Sequence, residues 1–114
     1  MSGCIFCKII NGEIPCKKIH EDGEMLAFAD INPMAPVHFL VIPKKHIPSL
    51  LDLEESDSGL AGRLLSKARE LAIQQGCGEN GARFVINAKR DAGQTVDHLH
   101  IHVLGGRALN WPPG

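Results

Sequence analysis

The sequence predicts an α+β fold, a five-stranded antiparallel meander sheet with one long and one short helix. Three observations predict it. Five short runs of apolar character are bounded by Gly, Pro, Asn and Asp. One long segment, about 55–75, repeats its apolar residues at helical spacing. Consecutive runs are mostly joined by short turns, which favours antiparallel neighbours.

The elements follow in order. Residues 4–10 place Ile5, Phe6, Ile9 and Ile10 at helical spacing between Gly3 and Gly12, predicting one or two helical turns. Pro15 forbids continuation, because it restricts Ile14 and has no N–H to donate. Strands are predicted over 17–20, 24–29 and 38–42. Asp22-Gly23 is a two-residue hairpin signal, Asn32 to Pro36 form a loop, and Pro43 ends the third run. In the long helix, Leu60, Leu64, Ala68, Leu71 and Ile73 trace the apolar stripe, and Gly76 and Gly78 stand where a C-cap belongs. Asp52, Glu54, Glu55 and Asp57 crowd its start, where the helix dipole favours carboxylates, so they read as helix-end chemistry rather than catalytic acids. The last strands are predicted over 82–87 and 97–104. Trp111, flanked by Pro112 and Pro113, cannot join either element, yet its ring favours burial, on its own domain or on a partner subunit.

At 114 residues the chain has room for one domain, 1–114, and a net charge of -1 gives no footprint of a general nucleic-acid binder. No apolar run approaches the ~20 residues that span a bilayer. Met1-Ser2-Gly3-Cys4 lacks the basic and apolar regions of an export signal, so the expected compartment is the cytoplasm. Cys4, Cys7, Cys16 and Cys77 are then expected as reduced thiols, and Cys4-x-x-Cys7 as a metal or redox element.

The chemistry concentrates in Asp97 to Leu104. Side chains alternate faces along a strand, so His98, His100 and His102 share one face while Leu99, Ile101 and Val103 face the core. Histidines two residues apart stand about 6.6–6.8 Å apart at the backbone, near enough for their rings to converge on one small anion. Two readings remain open from spacing alone. One is a His-x-His metal site of a hydrolase. The other is imidazole as nucleophile and acid, which its pKa of about 6.5 permits at one pH.

His98-Leu-His-Ile-His-Val-Leu104 resembles the signature of the histidine-triad (HIT) superfamily. So do Cys4 to Ile10, Ile14-Pro15, Leu26 to Ile31, Ala35 to Ile47, Gly93-Gln94-Thr95 and Leu104 to Arg107. The closing Trp111-Pro-Pro-Gly is similar to the Hint branch, the histidine-triad nucleotide-binding proteins. The resemblance runs nearly end to end. It implies a homodimer with a ten-stranded sheet, the tail 105–114 packing on the partner, and purine nucleoside phosphoramidase activity. In that activity the P–N bond of an AMP– or GMP–amine conjugate is hydrolysed, without a catalytic metal.

By the same resemblance, His100 is the nucleophile toward phosphorus, with His102 and His98 managing charge and protons. His38 is a fourth site histidine or a structural one, and Thr95 is a donor to the leaving group. Asn87, Gly93, Gln94 and Thr95 match the phosphate loop, and Asp30 the ribose ligand. Ile5, Phe6, Ile9, Phe28, Ile31 and Leu40 match walls of a base slot, several being equally good core residues. The resemblance also directs Trp111 toward the partner's site.

Cys4 and Cys7 depart from some Hint members and are similar to a structural zinc site of other histidine-triad proteins, completed here by His46 and His98. The alternative is two cysteines packed as small hydrophobes. Two further function classes stand beside the phosphoramidase: a nucleotide-binding or scaffolding module whose role needs no catalysis, and a zinc-dependent hydrolase.

Overall fold

A computed structural model describes residues 3–114; Met1 and Ser2, part of the segment read for an export signal, lie outside the described residues. Helix α1, Ile5–Ile10, starts where the Cys4 sulfur accepts the Cys7 N–H at 3.4 Å. It buries Phe6, Cys7 and Ile9. Strands β1 (Lys18–Glu21), β2 (Met25–Ala29) and β3 (Val37–Pro43) follow as antiparallel neighbours. The first hairpin closes one residue later than the Asp22-Gly23 signal implies. The Asp22 carboxylate accepts the N–H groups of Glu24 and Met25 at 2.8 and 3.1 Å, and the Asp22 N–H donates to the Met25 carbonyl. An aspartate at the first position of a turn satisfies the backbone that follows it.

The long helix is shorter and better prepared than its periodicity suggests. Two 3-10 turns, Leu50–Asp52 and Glu55–Asp57, lead into α2, Ser58–Ala72. The acidic residues belong to these turns: Ser49 donates to Asp52, the Glu54 N–H donates to Asp57, and Lys45 pairs with Asp57 at 2.7 Å. Helix-end chemistry therefore accounts for Asp52, Glu54 and Asp57. After Ala72 the backbone widens into a π turn, Ile73–Cys77, in which Gly76 adopts φ 91°. That left-handed conformation suits glycine. Gly78 is the C-cap of this turn and stays right-handed, at φ -67°. Leu60, Leu64, Ala68 and Leu71 form the buried stripe, but Ile73 is half exposed and Ala72 takes its place. At 100° per residue, position 72 continues the 64–68 row, whereas 73 turns away from it.

β4 (Ala82–Val85) and β5 (Ile101–Gly105) complete a sheet in the order β1-β2-β3-β5-β4. The meander is thus interrupted. β3 and β4 both run antiparallel to β5, hence parallel to each other, and α2 provides the crossover that parallel strands require. β5 begins at Ile101, four residues after the predicted start at 97; residues 97–100 approach it as irregular chain. A short helix α3, Lys89–Ala92, occupies the β4–β5 connection. Gly105, expected as the first tail residue, instead closes β5 opposite Val37 and Ala82.

The two sheet faces are buried differently. α2 covers one face through Met25, Ala27, Phe39, Val41, Leu99, Ile101 and Val103. α1 covers part of the other through Phe6 and Ile9 against Leu26, Phe28, Leu40 and Ile42. The odd-numbered residues of 99–103 therefore face the core, as their alternation predicts, and the histidines face the α1 side. None of the helices is long and apolar enough to cross a membrane among the described residues.

Candidate functional site

Two clusters of side chains meet at the triad, and the histidines divide between them. His100 and His102 stand side by side, ring centroids 5.0 Å apart, with the Phe6 ring edge-on to His100 at 5.2 Å. His98 lies outside β5, as His100 does, and stays on the same side: Phe6 also touches it, at 5.8 Å. An extended strand is not needed for the three rings to share a face.

Hydrogen bonds determine what each ring can do. His100 donates Nδ1–H to the His98 carbonyl at 2.7 Å, so the proton of the neutral ring is on Nδ1 and its Nε2 carries a lone pair. His38 accepts the Met34 N–H on Nδ1 at 3.0 Å, which puts its proton on Nε2. That Nε2–H lies 3.0 Å from His102 Nδ1 and 3.3 Å from the Asp30 carboxylate. His102 therefore accepts on Nδ1 and keeps its proton on Nε2. Asp30, His38 and His102 bring three potential donors together, but the proton on His38 Nε2 makes that nitrogen a hydrogen-bond donor rather than a metal ligand.

His98 has the opposite arrangement. Its Nε2–H donates to the Pro43 carbonyl at 2.8 Å, which frees Nδ1 to point at Cys4 Sγ (3.3 Å), Cys7 Sγ (3.6 Å) and His46 Nδ1 (3.2 Å). Cys7 Sγ also lies 3.3 Å from His46 Nδ1. Metal–nitrogen and metal–sulfur bonds of about 2.1 and 2.3 Å at tetrahedral angles separate such donors by about 3.4–3.8 Å. The cluster comes close to that spacing, and the Pro43 carbonyl supplies the outer hydrogen bond that a ligating imidazole needs. The four residues can hold a metal ion. Burial, aided by the adjacent Cys4 thiol, pushes the Cys7 thiol above its ordinary pKa, a cost that a bound cation would reverse.

Burial and the neighbouring charges of His100 and His38, opposed by Asp30, lower the His102 pKa to about 4. The ring is neutral at pH 7. Between about pH 6.5 and 4 the unfolded chain binds a proton here that the folded chain refuses. His102 therefore destabilises the fold as pH falls through that window, and the penalty is absent above it. Melting temperatures taken from pH 7 to 4 should fall more steeply for the parent than for His102→Gln; parallel curves would refute the assignment.

The other expected residues are distributed unevenly. Thr95 is exposed and lines a cleft with Cys4, Ile5, His46, Val96 and Asp97. Asn87 is half-buried just beyond β4, and Gly93 ends α3 with φ 79°. The Gln94 side chain is engaged by its own loop and by Pro48. Phe6, Ile9, Phe28 and Leu40 are buried together as packed core, whereas Ile5 is 46% and Ile31 93% exposed. Trp111 is 81% exposed, so it does not fold back on its own domain. Arg107 ties the tail to the Met34 carbonyl and Arg83 ties it to the Asn110 carbonyl. The residues that sequence reading missed are carbonyls, those of His98 and Pro43, and the Met34 N–H. Backbone groups have no sequence signal.

The sheet with two covered faces, and a histidine pair next to a Cys/His cluster, defines a small imidazole-based site protein. Residues 11–109 match the HIT domain model, and the chain belongs to that family. It is 53% identical over 110 residues to an uncharacterized HIT-like protein of Synechocystis, covering 96% of each chain. Among solved structures it is similar to a HIT family hydrolase from Legionella pneumophila, at 49% identity and TM-score 0.96, covering 98% of this chain and 100% of that one. It is also similar to a histidine triad nucleotide-binding protein from Candida albicans, at 34% identity and TM-score 0.82, covering 96% and 83%. A Zn-bound histidine triad family protein from Mycobacterium smegmatis matches at 34% identity and TM-score 0.79, covering 93% and 76%.

Proposed function

We propose that the protein is a purine nucleoside phosphoramidase of the Hint type, cleaving the P–N bond of AMP– or GMP–amine conjugates. The observation that carries this reading is the His98 carbonyl on His100 Nδ1, which places the neutral ring's proton on Nδ1, leaves the lone pair on Nε2 and fixes the ring's orientation. A neutral, oriented imidazole can attack an anionic phosphorus with little further loss of entropy. His100 Nε2 forms a bond to phosphorus, the P–N bond breaks, and the amine leaves with a proton relayed through the Thr95 hydroxyl, which the water of the second step replaces. Water then attacks the nucleotidyl-histidine, releasing the nucleoside monophosphate and restoring the imidazole.

The remaining residues take supporting roles. The His102 Nε2–H donates to a phosphate oxygen, and the His38 Nε2–H at 3.0 Å from His102 Nδ1 holds that tautomer, while Asp30 stands 3.3 Å from the same His38 nitrogen. Asp30 also accepts from ribose hydroxyls, Thr95 donates toward the leaving amine, and Asn87, Gly93 and the loop N–H groups hold phosphate. Phe6, Phe28 and Leu40 form the floor of the base slot, with Ile5, Ile9 and Ile31 around it. His98 contributes its carbonyl to His100 and its ring to Cys4, Cys7 and His46, where the donor set suits structural zinc. Two thiols and two imidazoles complete a tetrahedron and leave no open position, which counts against a zinc-dependent hydrolase. Four free cysteines fit a reducing compartment such as the cytoplasm.

A homodimer fits the surface. β4 is an edge strand with Phe84 exposed, so a second copy could extend the sheet to ten strands. The exposed Trp111 would pack on that copy. The activity is tested by mixing the protein with an adenosine phosphoramidate, quenching in base and measuring intact mass. A gain of one adenylyl group on the parent supports the pathway; turnover without any trapped adduct under single-turnover conditions refutes it.

A further inference from the structure

We infer that Gln94 is a positioning residue that braces the β4–β5 loop and the lead-in to the triad, not a nucleotide ligand; the inference rests on the site reading above. A glutamine amide has two hydrogens to donate and one oxygen to accept with. In Gln94 all are engaged: Nε2 donates to the Pro48 carbonyl at 2.7 Å and the Val96 carbonyl at 2.9 Å, and Oε1 accepts the Lys89 N–H at 2.7 Å. No N–H of the side chain remains for a phosphate oxygen, and the one acceptor would repel it.

The residue at the other end of the brace is strained. Lys89 adopts φ 67°, the left-handed region that side-chain-bearing residues seldom enter, and it is the only non-glycine among the described residues to do so. Such a conformation persists where its surroundings over-determine it. Gln94 does so twice, since its backbone N–H also donates to the Lys89 carbonyl at 3.1 Å. The brace also reaches the triad. The Val96 carbonyl that receives the Gln94 amide also accepts the His98 N–H at 2.8 Å, and the His98 carbonyl holds His100. Pro48 closes the connection on the His46 side, where the Leu99 N–H donates to the Ile47 carbonyl. One side chain thus ties three segments: the loop after β4, the segment that carries His46, and the approach to His98.

The test compares the parent, Gln94→Met, Lys89→Gly and the double variant. Gln94→Met keeps volume and removes all three side-chain hydrogen bonds. Exchange of the Lys89 amide hydrogen, followed by NMR, should be slowed in the parent and at least tenfold faster in Gln94→Met. Turnover of an adenosine phosphoramidate should lose about 10–100-fold in kcat with KM changed less than threefold, because misplaced groups cost rate. Glycine takes φ 67° freely, so the double variant should regain a clear part of the lost kcat. A raised KM at unchanged kcat, with Lys89 exchange unaltered and no rescue, would make Gln94 a ligand and overturn the inference. A parent that turns over no phosphoramidate defeats the proposed activity instead, and the exchange rates then decide on Gln94 alone.

Discussion

Replacing His100 by alanine is expected to reduce hydrolysis of an adenosine phosphoramidate by at least about 10³-fold, the scale on which removal of a covalent nucleophile acts. The loss should fall on kcat, because the lone pair on Nε2 is used only as the P–N bond breaks. His100 is nearly fully buried against Phe6 and His102, so truncation also removes packing. His100→Gln is the control. It keeps most of the volume and an amide able to donate to the His98 carbonyl, and lacks the imidazole. Both variants should bind AMP, and His100→Gln should melt within a few degrees of the parent. Turnover retained in His100→Gln would remove the nucleophile from this position, whatever happens to the alanine variant.

Stripping the zinc proposed for Cys4, Cys7, His46 and His98, or replacing Cys7 by serine, is expected to lower the melting temperature by about 15 °C. A ligand present at a thousandfold its Kd stabilises the folded state by about 4 kcal/mol. For a chain of this size each kcal/mol moves the midpoint by about 4 °C. The cluster joins α1 to the His46 segment and to His98, elements 39 to 94 residues apart in sequence, so its loss loosens the N-terminus from the sheet. Elemental analysis of the purified protein should find about one zinc per chain, and Cys7→Ser should contain almost none. Melting curves unchanged by a strong chelator and by Cys7→Ser would mean that the two cysteines pack as small apolar side chains.

Leu60, Leu64, Ala68 and Leu71 were legible as a helix face because period 3.6 is local information. Ile73 failed the same pattern because it falls off the 64–68–72 row, and the π turn that follows depends on a glycine conformation that no hydrophobic count records. The meander reading missed the insertion of β5 between β3 and β4, since strand order is a property of long-range pairing. Resemblance placed Cys4, Cys7, His46 and His98 in one set, and the structure brings their donors within 4.8 Å of one another. Gln94, matched to the phosphate loop, has its side chain bound to Pro48, Val96 and Lys89, a use that its sequence neighbours did not announce.

The alternation at Ile101, His102 and Val103 by itself determined that an imidazole lies opposite an apolar row, because side-chain facing follows from strand geometry. His98 and His100 reach the same side from the irregular lead-in through their contacts with Phe6. Only the tertiary structure decided that these imidazoles are chemically unequal. A proton's place on each ring depends on which carbonyl or N–H arrives beside it, and Pro43, Met34 and the cysteines come from distant parts of the chain. His98 was thereby drawn to the thiols, His102 to His38, and His100 was left with a free nitrogen.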